Sequence, residues 1–300
     1  MKGRLVWLGA AVLLLALLLL VGYQARQTPA YKGTWIWDTP TMITHQDEIL
    51  SFSKEQGVTN IYLHVTRDQA RPRDYADFIG AASQLDIQVE ALAGDPSWGR
   101  REKRHHIEEV LDWVASYNLN VAEEERFAGI HWDIEPYLLP EWKTDQDQVL
   151  EEWLSNMDFV LKEGNLMSQL TNSVDLPFWI HQVEVPGYRD YDVGSWMLKR
   201  FDKVVLMDYR DTAQGEDGII AHGLEMVKKA TAMGKWKSLI IGVEMAPSDE
   251  GNKATFYEEG YEVMERELEI TSKVMEKYDG FGGVAIHGFP HWMSSYTESE

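Results

Sequence analysis

Two carboxylates one residue apart, Asp133 and Glu135, stand near the end of the stretch Phe127-Ala-Gly-Ile-His-Trp-Asp-Ile-Glu-Pro-Tyr137. Strand side chains alternate between faces, so Gly129, His131, Asp133 and Glu135 share one face, and Ile130, Trp132 and Ile134 share the other. The apolar face calls for helices behind it and the polar face for a cavity in front. Carboxylates packed round one cavity push each other's pKa apart, so that one keeps its proton and another stays ionised. Glycosidic bond hydrolysis needs that pairing: a proton for the leaving oxygen and an anion beside an oxocarbenium-like centre.

Seven further apolar runs supply elements to position such a pair. Strands are expected at Thr34–Asp38, Asn60–Thr66, Ile87–Ala93, Phe127–Glu135, Pro177–Glu184, Lys203–Arg210, Ser238–Glu244 and Gly282–His287. Helical patterns at Gln46–Gln56, His106–Tyr117, Thr144–Glu163 and Thr255–Tyr278 fall between them. Eight strands alternating with helices, in a body of about 250 residues, predict a (β/α)8 TIM barrel. A doubly wound open sheet is the alternative, but no Gly-rich phosphate turn follows an early strand. Every strand but the third ends on polar or charged residues, among them Asp38, Thr66, Asp68, Glu135, Glu184, Asp208, Asp211, Glu244 and His287, and Asp95 follows the third. Converging at one barrel mouth, these ends put at least four carboxylates round one cavity.

Composition bounds the rest. Acidic residues outnumber basic ones by 49 to 28, a net charge of -21 that repels phosphate backbones and argues against nucleic-acid binding. The chain has no Cys, which excludes disulfides and thiolate chemistry. Twelve Trp and 13 Tyr fill cores first, but a subset suits stacking on sugar faces. Lys2 and Arg4 precede an apolar run from Leu5 to Gly22 with no clean Ala-x-Ala site after it. A span needs about 20 apolar residues, so residues 1–23 are expected to be an uncleaved signal anchor with the rest of the chain outside the cytoplasm. A cleaved signal peptide and secretion is the other reading. Residues 24–32 would be a linker and 33–296 the barrel domain, with a polar tail from Ser294 expected to fray.

The stretch ending at Glu135 resembles the fourth-strand motif of the chitinase-like glycoside hydrolases of family 18, Asp-Gly-x-Asp-x-Asp-x-Glu after an aromatic residue. Met207-Asp-Tyr209 is similar to that family's Met-x-Tyr, Lys237-Ser-Leu-Ile-Ile-Gly-Val243 to its seventh-strand motif, and Gly282-Gly-Val284 to the start of its eighth strand. The resemblance implies Glu135 as general acid. It implies Asp133 as the group that orients and charge-stabilises the substrate's own N-acetyl nucleophile, and Tyr209 as a hydrogen-bond donor to that acetamide. The chain departs from the pattern at Ala128 and His131, where Asp is usual. His287 stands where a Trp floors the sugar site, and Glu244 where a Pro is usual. The departures point to a divergent relative acting on an N-acetylhexosamine-containing glycan other than ordinary chitin, in a cell wall or exopolysaccharide. His131 could then serve as hydrogen-bond partner to Asp133.

Candidates for substrate contact are Trp37, Asp38, Trp98, His131, Glu184, Asp208 and His287. Glu244 opens a second mechanism, a retaining hydrolase with Glu135 as acid/base and Glu244 as nucleophile. A third reading is a non-catalytic glycan-binding barrel. A metal-dependent barrel hydrolase built on His64, His131, His181 and His287 is a fourth. No cofactor is expected; the expected partners are a polysaccharide or oligosaccharide and, through the N-terminal segment, the membrane.

Overall fold

Eight short stretches form parallel strands in the computed structural model, which describes residues 30–66, 68–164 and 170–299. They are β1 (Tyr31–Ile36), β2 (Asn60–His64), β3 (Gln88–Ala93), β4 (Gly129–Trp132), β5 (Thr171–Pro177), β6 (Lys203–Met207), β7 (Leu239–Glu244) and β8 (Phe281–His287). Each pairs with the next, and β8 pairs with β1 to close a barrel. Around it lie α1 (Thr39–Thr44), α2 (Gln46–Glu55), α3 (Pro72–Ser83), α4 (Arg104–Leu119) and α5 (Gln146–Gly164), then α6 (Val193–Arg200), α7 (Ile219–Ala232), α8 (Tyr261–Met275) and α9 (Phe289–Ser299). The (β/α)8 barrel expected from the strand count is thus the observed fold.

The alternation of side chains divides the core in two. Outward residues such as Ile61, Leu63, Ile130, Trp132, Val174 and Leu176 pack against the helices. Trp35, Tyr62, Leu92, Val205, Ile240 and Ala285 fill the barrel itself. Small residues make room for the large rings. A Cβ on Gly33 would come 2.9 Å from the Tyr62 hydroxyl, and one on Gly242 would meet the Trp35 ring at 3.3 Å.

The fifth strand corrects the sequence reading. The apolar run Pro177–Glu184 was expected to be the strand, but it forms a 3-10 turn at Phe178–Gln182, and the strand is Thr171–Pro177. Thr-Asn-Ser-Val-Asp-Leu looks too polar for a buried strand. Its polar Ser173 and Asp175 point into the barrel and its apolar Val174 and Leu176 point to the helices. The apolar turn residues are used elsewhere: Phe178 stacks on His222 at 4.2 Å, Ile180 is buried, and Trp179 meets Tyr137 edge-on.

Both ends of the domain also differ in detail. β1 begins at Tyr31, two residues inside the stretch expected as linker, and the Tyr31 and Tyr62 hydroxyls hydrogen-bond at 2.7 Å. The tail expected to fray is the end of α9 instead. Trp292 is fully buried and Tyr296 donates to Glu55 Oε1 at 2.8 Å, so an aromatic edge holds the polar tail. The expected membrane anchor, residues 1–23, and the linker through residue 29 lie outside the described residues. Among the described residues no helix is long and apolar enough to cross a membrane.

Two loops at the C-terminal mouth are locked to each other. The Asp133 amide donates to the Ala93 carbonyl at 3.0 Å, and a Cβ on Gly94 would fall 1.7 Å from the Asp133 carbonyl oxygen. Gly99 similarly faces Pro136, where a Cβ would come 2.5 Å from the ring. From behind, Asn156 of α5 donates to the carbonyls of Trp98 and Arg100, and Arg104 donates to Asn156. A Gly94→Ala protein is therefore expected to lose about 1–3 kcal/mol of stability, because backbone rather than a flexible side chain must yield. Equilibrium urea unfolding checks this: the midpoint should fall at an unchanged slope. A wild-type midpoint would show that the end of β4 is free to move.

Candidate active site

The inward positions at the strand ends converge on a cavity of about 510 Å³ lined by Trp35, Trp37, Gly94, Asp95, Pro96, Asp133, Glu135, Asp175, Met207, Tyr209 and His287. Strand parity places most of these. Residues two apart on β1, β4, β5, β6 and β8 face the same side, and the closed barrel leaves that side only the mouth to open into.

Three carboxyl groups share the inner part of this space, while the fourth on its lining, Asp95, is exposed and accepts from the Ser97 amide and hydroxyl. Burial raises the Asp133 carboxyl well above the carboxylate range, and the nearby charges of Asp175 and Glu135 push it the same way. Burial likewise raises Asp175 well above that range, against the hydrogen bond from Trp35 Nε1 to its Oδ2 at 2.9 Å. Burial also raises Glu135, opposed by a short hydrogen bond from the Tyr137 hydroxyl to Oε2. Oδ1 of Asp133 and Oδ1 of Asp175 are each buried without a hydrogen-bond partner in the protein. Tyr209 completes the lining; burial and the surrounding carboxylates raise its phenol far above the ordinary value, so it stays a neutral donor.

His287 bridges the cavity to Glu244. Trp37 Nε1 donates to His287 Nε2 at 2.9 Å, and an indole N–H can only donate, so Nε2 is an acceptor. The imidazole proton then sits on Nδ1 and donates to Glu244 Oε2 at 2.6 Å. The other oxygen of Glu244 accepts from the amides of Met245 at 2.8 Å and Ala246 at 2.7 Å. Burial lowers the His287 pKa, but the bond to Glu244 and its charge outweigh this, and the net shift is upward. As pH falls through that raised value the ring takes its second proton on Nε2, and Trp37 loses its acceptor.

The other sequence candidates lie elsewhere. Asp38 is exposed and caps α1, accepting from the amide and hydroxyl of Thr41. Glu184 is exposed and bridges to Asp192 beyond the misread fifth strand. Asp208 is fully buried on the outward face of β6, where it meets His222 at 3.2 Å and a neighbouring Gly223; burial pushes its carboxyl up to about 6. Trp98 stacks on His106 and lines a neighbouring groove of about 430 Å³ with His64. Glu244 lies behind His287 with both oxygens engaged, and it does not line the cavity. His131 faces inward but lies below the cavity: Nδ1 meets Ser173 Oγ at 2.7 Å and the ring stacks on Tyr62 at 3.7 Å. Burial lowers its pKa to about 4, so it is a neutral ring bonded to Ser173 rather than the expected hydrogen-bond partner of Asp133.

His181 sits in the 3-10 turn with Nδ1 at 3.0 Å from the Phe178 carbonyl, so the four candidate metal-binding histidines do not converge. Among the described residues no group of three or more His, Asp or Glu side chains is placed to hold a metal ion. Sequence reading missed Asp175, Trp35 and Tyr137. Alternation in Thr171–Leu176 was the available signal for Asp175, and the Tyr two residues after Glu135 was the signal for Tyr137.

No family profile matches the sequence, and no curated protein does. Solved structures do match in fold. A family 18 chitinase from Pseudoalteromonas aurantia aligns with a TM-score of 0.59 at 13% identity, over 90% of this chain and 100% of that one. A Cycas revoluta family 18 chitinase in complex with (GlcNAc)4 aligns at 0.54 and 12% identity, over 88% and 96%. The Bacillus megaterium spore cortex-lytic enzyme SleL aligns at 0.53 and 15% identity, over 88% and 72%. The barrel is thus chitinase-like in fold.

Replacing Glu244 with Gln is expected to lower the His287 pKa, because the Glu244 charge and hydrogen bond are what raise it against burial. An NMR pH titration of the His287 ring signals reads this directly. An unchanged value would assign the shift to Asp175 and Asp133.

Proposed function

We propose that the chain is a glycoside hydrolase of an N-acetylhexosamine-containing glycan, with Glu135 as general acid. The observation that carries this reading is the carboxyl cluster of buried Asp175 with half-buried Asp133 and Glu135, facing one cavity beside Tyr209. The chitinase-like barrel is a second support, and the family 18 structure holding (GlcNAc)4 is a protein of the same fold with such a sugar bound.

The chemistry follows from the protonation states. Burial raises the Glu135 pKa and so favours its protonated form, and that proton goes to the glycosidic oxygen as the C1–O bond breaks. The acetamide oxygen of the same sugar closes on C1, and Asp133 accepts the acetamide N–H as positive charge develops there. Tyr209 donates to the acetamide and holds it under C1. Water then opens the cyclic intermediate and Glu135, now ionised, takes the water's proton. The substrate-assisted route is preferred to a Glu135–Glu244 pair because Glu244 is committed to two amides and His287. Anchored by residues 1–23 outside the cytoplasm, the domain would act on an envelope glycan.

The direct test is release of reducing ends from glycans containing N-acetylglucosamine or N-acetylmuramic acid. Glu135→Gln should cost about 10²–10⁴-fold in kcat while glycan binding persists. Binding by both proteins without turnover by either would make the barrel a glycan-binding module. No turnover and no binding would remove the substrate class.

Tyr137→Phe adds a pH test. The Tyr137 hydrogen bond lowers the Glu135 pKa, so its loss raises that pKa further. A general acid works only while protonated, so activity lost as pH rises should persist to higher pH in the variant. A basic limb that stays put would mean that Glu135 is not the acid.

A further inference from the structure

We infer that Asp175 in the cavity and Glu90 in the barrel interior share one proton, passed through His131 and Ser173. The four side chains come from β3, β4 and β5 and make a continuous line. Ser173 Oγ makes a short hydrogen bond to Glu90 Oε2, His131 Nδ1 lies 2.7 Å from Ser173 Oγ, and His131 Nε2 lies 2.8 Å from Asp175 Oδ2. That last pair is close without being aligned as a hydrogen bond, so Nε2 is left without a hydrogen-bond partner. At that distance an ionised Asp175 is repelled by a bare Nε2 lone pair and attracted by an Nε2–H, so the protonation of Asp175 and of Nε2 is linked.

Elementary donor and acceptor rules allow two arrangements with a neutral ring. In the first, Asp175 carries the proton and gives it to Nε2, Nδ1–H donates to Ser173, and Ser173 donates to an ionised Glu90. In the second, Glu90 carries the proton and donates to Ser173, Ser173 donates to Nδ1, and Nε2–H donates to an ionised Asp175. Moving from the first to the second shifts one proton at each link: Asp175 to Nε2, Nδ1 to Ser173, Ser173 to Glu90. One proton leaves Asp175 and one arrives at Glu90. Neither His131 nor Ser173 changes net charge on the way, and no water is required.

The surroundings favour sharing over two anions. Glu90, His131 and Asp175 are all nearly inaccessible to solvent. Burial raises both carboxyl groups and lowers the imidazole. Asp175 is faced by Asp133 and Glu135 from β4 and its following loop, and by His287 from β8. Glu90 is faced by Asn60, the Tyr31 and Tyr62 phenols and Lys203 of β6, whose ammonium favours an ionised Glu90. The consequence rests on the hydrolase reading: when positive charge forms beside Asp133, the proton moves inward and leaves Asp175 as an anion. The cavity is then least negative before reaction and most negative when charge develops.

The test is histidine 15N NMR on protein with labelled imidazole nitrogens, for wild type, Glu90→Gln, Ser173→Ala and Ser173→Thr. The expected wild-type His131 is neutral at pH 7, and Glu90→Gln changes its ratio of Nδ1–H to Nε2–H forms. Ser173→Ala should abolish that response to Glu90→Gln, and Ser173→Thr should keep it. A doubly protonated His131, or a ratio indifferent to Glu90→Gln, overturns the proposal. These readouts need no substrate, so the chain stands or falls apart from the hydrolase reading. If wild type turns over a glycan, Glu90→Gln and Ser173→Ala should lower kcat by about 10-fold or more at similar KM, with Ser173→Thr restoring it. Wild-type kcat and pH profiles in both variants would remove the catalytic consequence.

Discussion

Closing eight parallel strands leaves an interior that side chains must fill, and in this barrel part of that filling is acidic. Each carboxyl taken out of water costs several kcal/mol if ionised and unpaired, so the architecture is a set of answers to that cost. Glu244 takes two amides and an imidazole N–H. Asp175 takes an indole N–H, and Glu135 takes a phenol. Where donors run out, at Oδ1 of Asp133 and of Asp175, protonation or a substrate donor must serve. The same deficit leaves these oxygens free to accept from a donor outside the protein.

Rigidity at the mouth comes from outside the cavity. The β3–α4 loop is held by Asn156 and Glu152 of α5 through the Trp98 and Arg100 carbonyls and the Arg101 amide. It presses Gly94 onto the Asp133 backbone and Gly99 onto the Pro136 ring. Asp133 and Glu135 are thus placed by a helix whose side chains do not line the cavity. The short bond from Tyr137 continues this outward, since the Tyr137 ring rests edge-on against Trp142 and Trp179.

The fourth strand shows what was legible and why. Its outer positions are Ile130, Trp132 and Ile134 and its inner ones His131, Asp133 and Glu135, so period and chemistry agree and the strand is read in place. The fifth shows the opposite case. Its inner positions are Ser173 and Asp175, which look like a loop until a polar interior is known to receive them. The apolar run next to it packs on His222 and Tyr137, contacts no local pattern announces. Misplacing that strand displaced attention to Glu184 and hid Asp175.

From the sequence alone came the barrel, the mouth at which its carboxyl groups gather, and the placing of Asp133 and Glu135 side by side there. These depend on alternation and on residues close together in the chain, which a linear reading can see. Tertiary structure alone decided that Asp175 joins the pair, that Glu244 and Asp208 turn to His287 and His222, and that Asp38 caps a helix. The reason is physical: a carboxylate's role depends on burial and on donors from other strands. Closure of the barrel brings such donors within hydrogen-bond reach across long stretches of chain, 140 residues between Trp35 and Asp175.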